Sequence, residues 1–237
     1  MDAPPRPAFH GPTFIRLLAR LTDDTLPQGG TAPAERLSQW IDWTRAVTLS
    51  KVLDARAVEA EPHTQVPDRN DAEACLRARS TLLASIAGAP ELAAPQQPQA
   101  GAPDGDAAVA NEAAIDFAPF RQRHLSLQRS MQAATGRLRG ELRDRLAQRS
   151  ADMARLAEVD AVMEGALSPR EHALLGAVPA LLETHFERLR AAAGDAATDL
   201  SAVWLDGFRR DMQGVLIAEL DVRFQPVDAL LAALRTH

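Results

Sequence analysis

FRQRHLSLQRSMQAATGRLRGELRDRLAQRSADMARLAEVDAV, residues 120–162, is the stretch whose reading decides the fold. Its apolar positions Leu127, Met131, Ala134, Leu138, Leu142, Leu146, Met153 and Leu156 recur three or four residues apart, which stacks them on one face of an α-helix. The segment is expected to form one long amphipathic, coiled-coil-like helix. At about 100° per residue the opposite flank carries Arg121, Gln128, Arg129, Gln132, Arg139 and Arg143 and no carboxylate. Glu141, Asp144 and Asp152 fall on the other flank. Residues 121–155 hold nine arginines against three acids, about +6, in a chain whose net charge is −6, so the remainder carries about −12. A basic flank on an acidic protein suits an acidic mate: another helix of the chain, another protein, nucleic acid or an anionic lipid surface. A charge run on a helix is, however, usually the solvated face of a bundle. Arg145 and Arg149 project onto the apolar seam, where a charge must snorkel or meet an acid. They either form a polar layer that fixes register or mark a break near Ser150.

The chain of 237 residues is long enough for one or two domains with a real core. Only 4% of it is aromatic, tyrosine is absent, and alanine, leucine and arginine dominate, a composition that favours helix over sheet. The expected class is all-α, and no segment reads convincingly as a strand. Lys51 is the only lysine; the arginine and alanine excess resembles the coding bias of a high-GC genome and is assigned no function. Cys75 is alone, which excludes an intrachain disulfide, and its apolar helical setting fits a small buried hydrophobe better than a reactive thiol. Met1 to Pro12 is Pro-rich without the apolar core of a signal peptide, and the longest nearly apolar run, Ala173 to Leu182, is too short to span a bilayer. The expected location is the cytoplasm.

Residues 89–113 combine Pro, Gly, Gln and Ala without apolar periodicity and read as a flexible linker. It separates an N-terminal helical module, 13–88 after a disordered 1–12, from a C-terminal helical bundle, 114–237. In the first module, a short helix runs from Thr13 through Leu21, and Leu26 to Gly30 is a turn. A second helix covers Pro33 to Val58, where Leu37, Trp40, Ile41 and Val47 share a face. Trp40 is then a core anchor, and Trp43, at the edge of that stripe, is the interface aromatic. A third helix, 69–87, stops at Gly88 before Pro90.

In the second module, Ser168-Pro169-Arg170-Glu171 has the pattern of a capping box with proline at the first helical position, so a helix is expected to start there. It continues through Leu174, Leu175, Val178, Leu182, Phe186 and Leu189 to Gly194, with a kink at Pro179. A further helix, Asp199 to Val222, is expected to bury Leu200, Val203, Trp204, Phe208, Met212, Val215 and Leu216. A short last helix begins near Pro226 and presents Val227, Leu230, Leu231 and Leu234. Short connections imply antiparallel neighbours and a long helical hairpin.

Chemistry-bearing motifs are scarce. None of His124, His172 and His185 has a glutamate three residues before it, as a di-iron bundle requires, and neither a His-Glu-x-x-His nor a paired-cysteine motif occurs. No Gly-rich phosphate loop precedes a lysine. His172 beside Glu171, and His185 near Glu183 and Glu187, fit ordinary surface or boundary histidines better than acid–base catalysts. Gly136-x-x-x-Gly140 is a weak signal outside a membrane. No catalytic residue, metal ligand or cofactor is therefore expected. The candidate partner-binding residues are Arg121, Arg129, Arg139 and Arg143, together with Trp43.

The segments Phe14-Ile-Arg-Leu-Leu-Ala-Arg-Leu-Thr-Asp23, Glu35-Arg-Leu-Ser-Gln-Trp-Ile-Asp-Trp43 and His172-Ala-Leu-Leu-Gly-Ala-Val-Pro-Ala-Leu-Leu-Glu183 resemble a proteobacterial family classed only as a domain of unknown function. The likeness runs over nearly the whole chain outside 89–113 and lies in helix and core patterns. The resemblance implies genes beside ion-driven membrane motor proteins of the MotA/MotB type, in loci similar to Zorya anti-phage systems. It therefore implies a cytoplasmic accessory of a membrane motor complex. Together with the amphipathic helices and the missing catalytic set, this makes the expected function a non-enzymatic interaction protein that docks through its long helix, and an exposed apolar seam also suits self-association. Nucleic-acid binding through the arginine flank of 121–155 is the competing reading, against which stand the overall acidity and the lack of interleaved aromatics.

Overall fold

The computed structural model describes residues 13–22, 40–54, 69–93, 116–193 and 200–236. The expectations for 1–12, the turn at Leu26 to Gly30, residues 33–39 and 55–58 of the second helix, most of the 89–113 linker and the stop at Gly194 lie outside these. Seven helices carry the described fold: α1 (Thr13–Thr22), α2 (Trp43–Asp54), α3 (Arg69–Ala87), α4 (Ala118–Ala147), α5 (Ala151–Gly176), α6 (Val178–Ala193) and α7 (Leu200–Thr236), with a 3-10 turn at Pro90–Leu92. No strand occurs among the described residues, so the protein is all-α. No helix of these residues is long and apolar enough to cross a membrane.

The stretch 120–162 is two helices rather than one. Ser150 takes an extended backbone (φ −160°, ψ 163°), and its hydroxyl accepts a hydrogen bond from the Met153 amide, an N-cap that restarts the chain as α5. Of the two readings of Arg145 and Arg149, the break is the observed one, and both side chains find partners there. Arg145 pairs with Asp71 of α3, and Arg149 donates to the Leu234 carbonyl near the end of α7. The apolar stripe packs as expected through Leu127, Met131, Leu138, Leu142, Leu146 and Met153, while Leu156 is partly exposed.

α4 packs along α7 and folds back on α5 as a hairpin. The pairings Phe120–Phe208, Gln128–Glu219 and Arg149–Leu234 advance together along α4 and α7, so these two helices are parallel. At the start of α4, Phe117 and Phe120 meet Phe186 and Phe208 in edge-on and tilted contacts, and Trp204 packs edge-on against Phe186; Phe186 and Phe208 lie 5.0 Å apart. Phe14 and Leu21 of α1 and Cys75, Leu82 and Ile86 of α3 join the same core cluster as α4 to α7. Ala89 and Leu92, at the start of the expected linker, are buried in that cluster as well.

Two expected helix starts are corrected. Ser168-Pro169 lies inside α5, and Pro226 lies inside α7. A proline lacks the N–H that would bond the carbonyl four residues earlier, so Pro169 orphans the carbonyl of Gly165. Arg45, on α2, donates to that carbonyl and supports the uninterrupted helix. Pro226 is carried by burial on either side of it, with Phe224 and Val227 in the core. The interruption falls instead at Ala177, and Pro179 sits in the first turn of α6. The Leu175 carbonyl, in the last turn of α5, accepts a hydrogen bond from Gln128 Nε2 at 3.0 Å. Val203 is a further correction: it is 63% exposed, because Trp204, Leu205 and Phe208 set the buried face of α7.

Candidate functional site

The arginine flank of α4 divides into two halves with different surroundings. In the C-terminal half, Arg139 and Arg143 face Asp160 and Glu164 on α5. Arg139 makes a two-pronged contact with Asp160, Nε to Oδ2 at 2.8 Å and Nη2 to Oδ1 at 2.6 Å. Arg143 Nη1 lies 3.3 Å from Asp160 Oδ2 and also contacts Glu164. Burial works against the charge on Arg139, yet the Asp160 hydrogen bonds and the nearby carboxylates carry its net shift upward. Both arginines are therefore committed to the hairpin, consistent with the bundle-surface reading of that half.

In the N-terminal half, Arg121 and Arg129 are exposed. Neither has an ion-pair partner among the described residues, and the segment 118–140 contains no Asp or Glu. Arg129 Nε donates to the Leu125 carbonyl one turn back. Gln128, read from the sequence as a member of this outer flank, is buried; the flank turns inward there because α5 and α7 converge on it. Trp43, the other candidate, stands 83% exposed at the start of α2, and Trp40 is half-buried with the Arg170 guanidinium 5.3 Å from its ring.

Beside α4 lies an open groove of about 440 Å³ lined by Glu91, Asp116, Gln122 and Arg123. Its arginine is already engaged, Nε to Glu91 Oε2 at 2.6 Å and Nη2 to Oε1 at 3.1 Å, and this pairing holds the Glu91 carboxyl below its ordinary range.

Sequence reasoning missed a buried ionic cluster. Glu219 of α7, fully enclosed, accepts from Arg223 (Nε 3.0 Å, Nη2 2.7 Å) and from Gln128 Nε2 at 3.0 Å. His124 Nε2 lies 3.5 Å from Glu219 Oε2, too long for a strong hydrogen bond but close enough to favour the ionised carboxylate. Arg223 Nη1 lies 3.7 Å from Glu171, which leads the cluster toward solvent. Burial pushes the Glu219 carboxyl up; its contacts with His124, Gln128 and Arg223 outweigh that and leave it below its ordinary value. A one-turn spacing of Glu219 and Arg223 was the available signal, and it is indistinguishable from a surface pair until α4 covers it.

His185 is also corrected. Of the surface and boundary readings, the surface one is excluded: the ring is buried beside the partly exposed Asp211, with Nε2 2.9 Å from Asp211 Oδ2 and Nδ1 3.0 Å from Arg188 Nη2. Its expected neighbours Glu183 and Glu187 point to solvent. His172 is exposed and spends Nδ1 on the Ser168 carbonyl. Among the described residues no group of His, Cys, Asp or Glu converges as a metal ion would need.

Residues 1–236 match the model of the family described as a protein of unknown function, DUF3348. The chain belongs to this DUF3348 family. None of the curated proteins and none of the solved structures matches it. Family membership therefore agrees with the resemblance seen in the helix and core patterns, and it assigns no role to Arg121, Arg129 or the buried clusters.

Proposed function

We propose that this DUF3348 protein is a non-enzymatic helical interaction protein that docks an acidic partner on the N-terminal half of α4. The observation that carries this reading is the pair Arg121 and Arg129, exposed and without an acidic mate among the described residues, on a segment that holds no carboxylate. Unpaired guanidinium groups spaced along one helix favour an acidic surface on another protein. Trp43 supplies an exposed aromatic of the kind that anchors an interface elsewhere on the molecule. The family resemblance supports one class of partner, the cytoplasmic part of an ion-driven membrane motor in an anti-phage locus, with self-association as the other protein outcome. Nucleic acid is a weaker reading, because two of the four candidate arginines are already engaged by Asp160 and Glu164.

The test is affinity purification from the native host, with and without nuclease, of the wild-type chain and of Arg121→Glu/Arg129→Glu. A motor subunit retained after nuclease and lost in the double variant supports docking on α4. Recovery that depends on nucleic acid, or a protein partner indifferent to the double variant, overturns it.

A further inference from the structure

His185 is held at both ring nitrogens. Arg188 is a permanent donor, so Nδ1 must accept from its Nη2, and the ring proton sits on Nε2, where it is donated to Asp211. The same Arg188 Nη2 donates to the Leu21 carbonyl at 2.8 Å, in the last turn of α1. One guanidinium nitrogen thus joins a titratable ring to the end of the N-terminal helix.

We infer that His185 and Arg188 form a proton-sensitive latch: it holds α1 on the bundle while the ring is neutral and releases it when the ring is protonated. Protonation places a second N–H on Nδ1, donor against donor and cation against cation across the 3.0 Å that now separates it from Arg188. The ring is enclosed and cannot turn freely to water. Asp211, facing it from α7, keeps its bond to Nε2 in either state, so the change falls on Arg188. From its own helix, Glu183 and Glu187 are exposed, and Glu187 pairs with Arg190. From α1 the facing group is the Leu21 carbonyl, with Arg16 and Arg20 exposed; α7 adds the Phe208 ring, 6.1 Å away. No charged side chain of α4 contacts the ring among the described residues.

The released element is a single ten-residue helix whose fully buried anchors are Phe14 and Leu21. A ten-residue helix with so few anchors opens locally at a cost well below that of unfolding the bundle. Opening uncovers the apolar row Phe14, Leu17, Leu18 and Leu21, now against the core.

Amide hydrogen exchange on the full chain, corrected for intrinsic rates, tests this between about pH 8 and about pH 5. Protection of the α1 amides should fall about tenfold or more on acidification, the loss of one charged hydrogen bond, while α4 amides hold. His185→Gln is the informative variant, since its carbonyl can accept from Arg188 and its NH₂ can donate to Asp211, yet it does not titrate. It should keep α1 protected at every pH. Arg188→Met should leave α1 poorly protected throughout, with no pH dependence. A pH-independent wild type, an equal fall in His185→Gln, or parallel loss in α4 overturns the latch. If His185→Gln does not fold, Arg188→Met decides: a pH-dependent fall that persists without Arg188 also overturns it.

Discussion

Arg139 and Asp160 are joined by two hydrogen bonds across the α4–α5 hairpin, and both side chains are largely enclosed, at 14% and 15% exposure. A pair so screened from water contributes more than a surface ion pair. Arg139→Ala and Asp160→Ala should each destabilise by about 2 kcal/mol, and the double variant should lose less than the sum. Chemical denaturation of the four proteins measures the coupling. Additive losses would show the pair to be inert. The same geometry warns that reversing Arg139 or Arg143 to glutamate disturbs folding as well as any binding, whereas Arg121 and Arg129 can be reversed without breaking an ion pair among the described residues.

Glu219 should make stability depend on acid. Its folded value is depressed, so its contribution is complete above its ordinary value of 4.5 and is lost as pH falls through the folded value. Glu219→Gln should cost about 3 kcal/mol or more at neutral pH, because Arg223 is left buried without its counter-ion. The gap to wild type should narrow in acid. Urea melts at neutral and acid pH check both parts, and a gap that widens in acid would contradict the sign.

The Arg45 bond to Gly165 exists because Pro169 left that carbonyl free. Arg45→Met should cost about 1 kcal/mol in the wild-type chain and distinctly less beside Pro169→Ala, where the restored amide can take the carbonyl. A thermal-denaturation cycle reads the coupling. An equal cost in both backgrounds would mean that Arg45 acts through Asp42 or packing instead.

Cys75 is enclosed in the core, and burial first, then the Asp228 and Asp71 carboxylates, push its thiol up. The native protein should resist a thiol-specific disulfide reagent at neutral pH and react fully in denaturant. Rapid native labelling would show that α3 opens far more readily than its packing implies.

Local order was legible wherever it is a local property. The periodicity of α4, the bounds of α3 and the start of α1 follow from side-chain spacing and stop signals within a few residues, so they are legible without the fold. The prolines are not, because whether a helix runs through one depends on packing that spacing does not show: Arg45 reaches the Gly165 carbonyl from more than a hundred residues away where α5 passes Pro169, and buried Phe224 and Val227 flank Pro226 where α7 passes it. The arginine flank shows the same division. Sequence alone established that α4 carries arginine without acid over 118–140, but only the packing of α5 decided that Arg139 and Arg143 are engaged while Arg121 and Arg129 face solvent. Helical period is written in neighbouring side chains; ion pairing and burial depend on which helices the fold brings together.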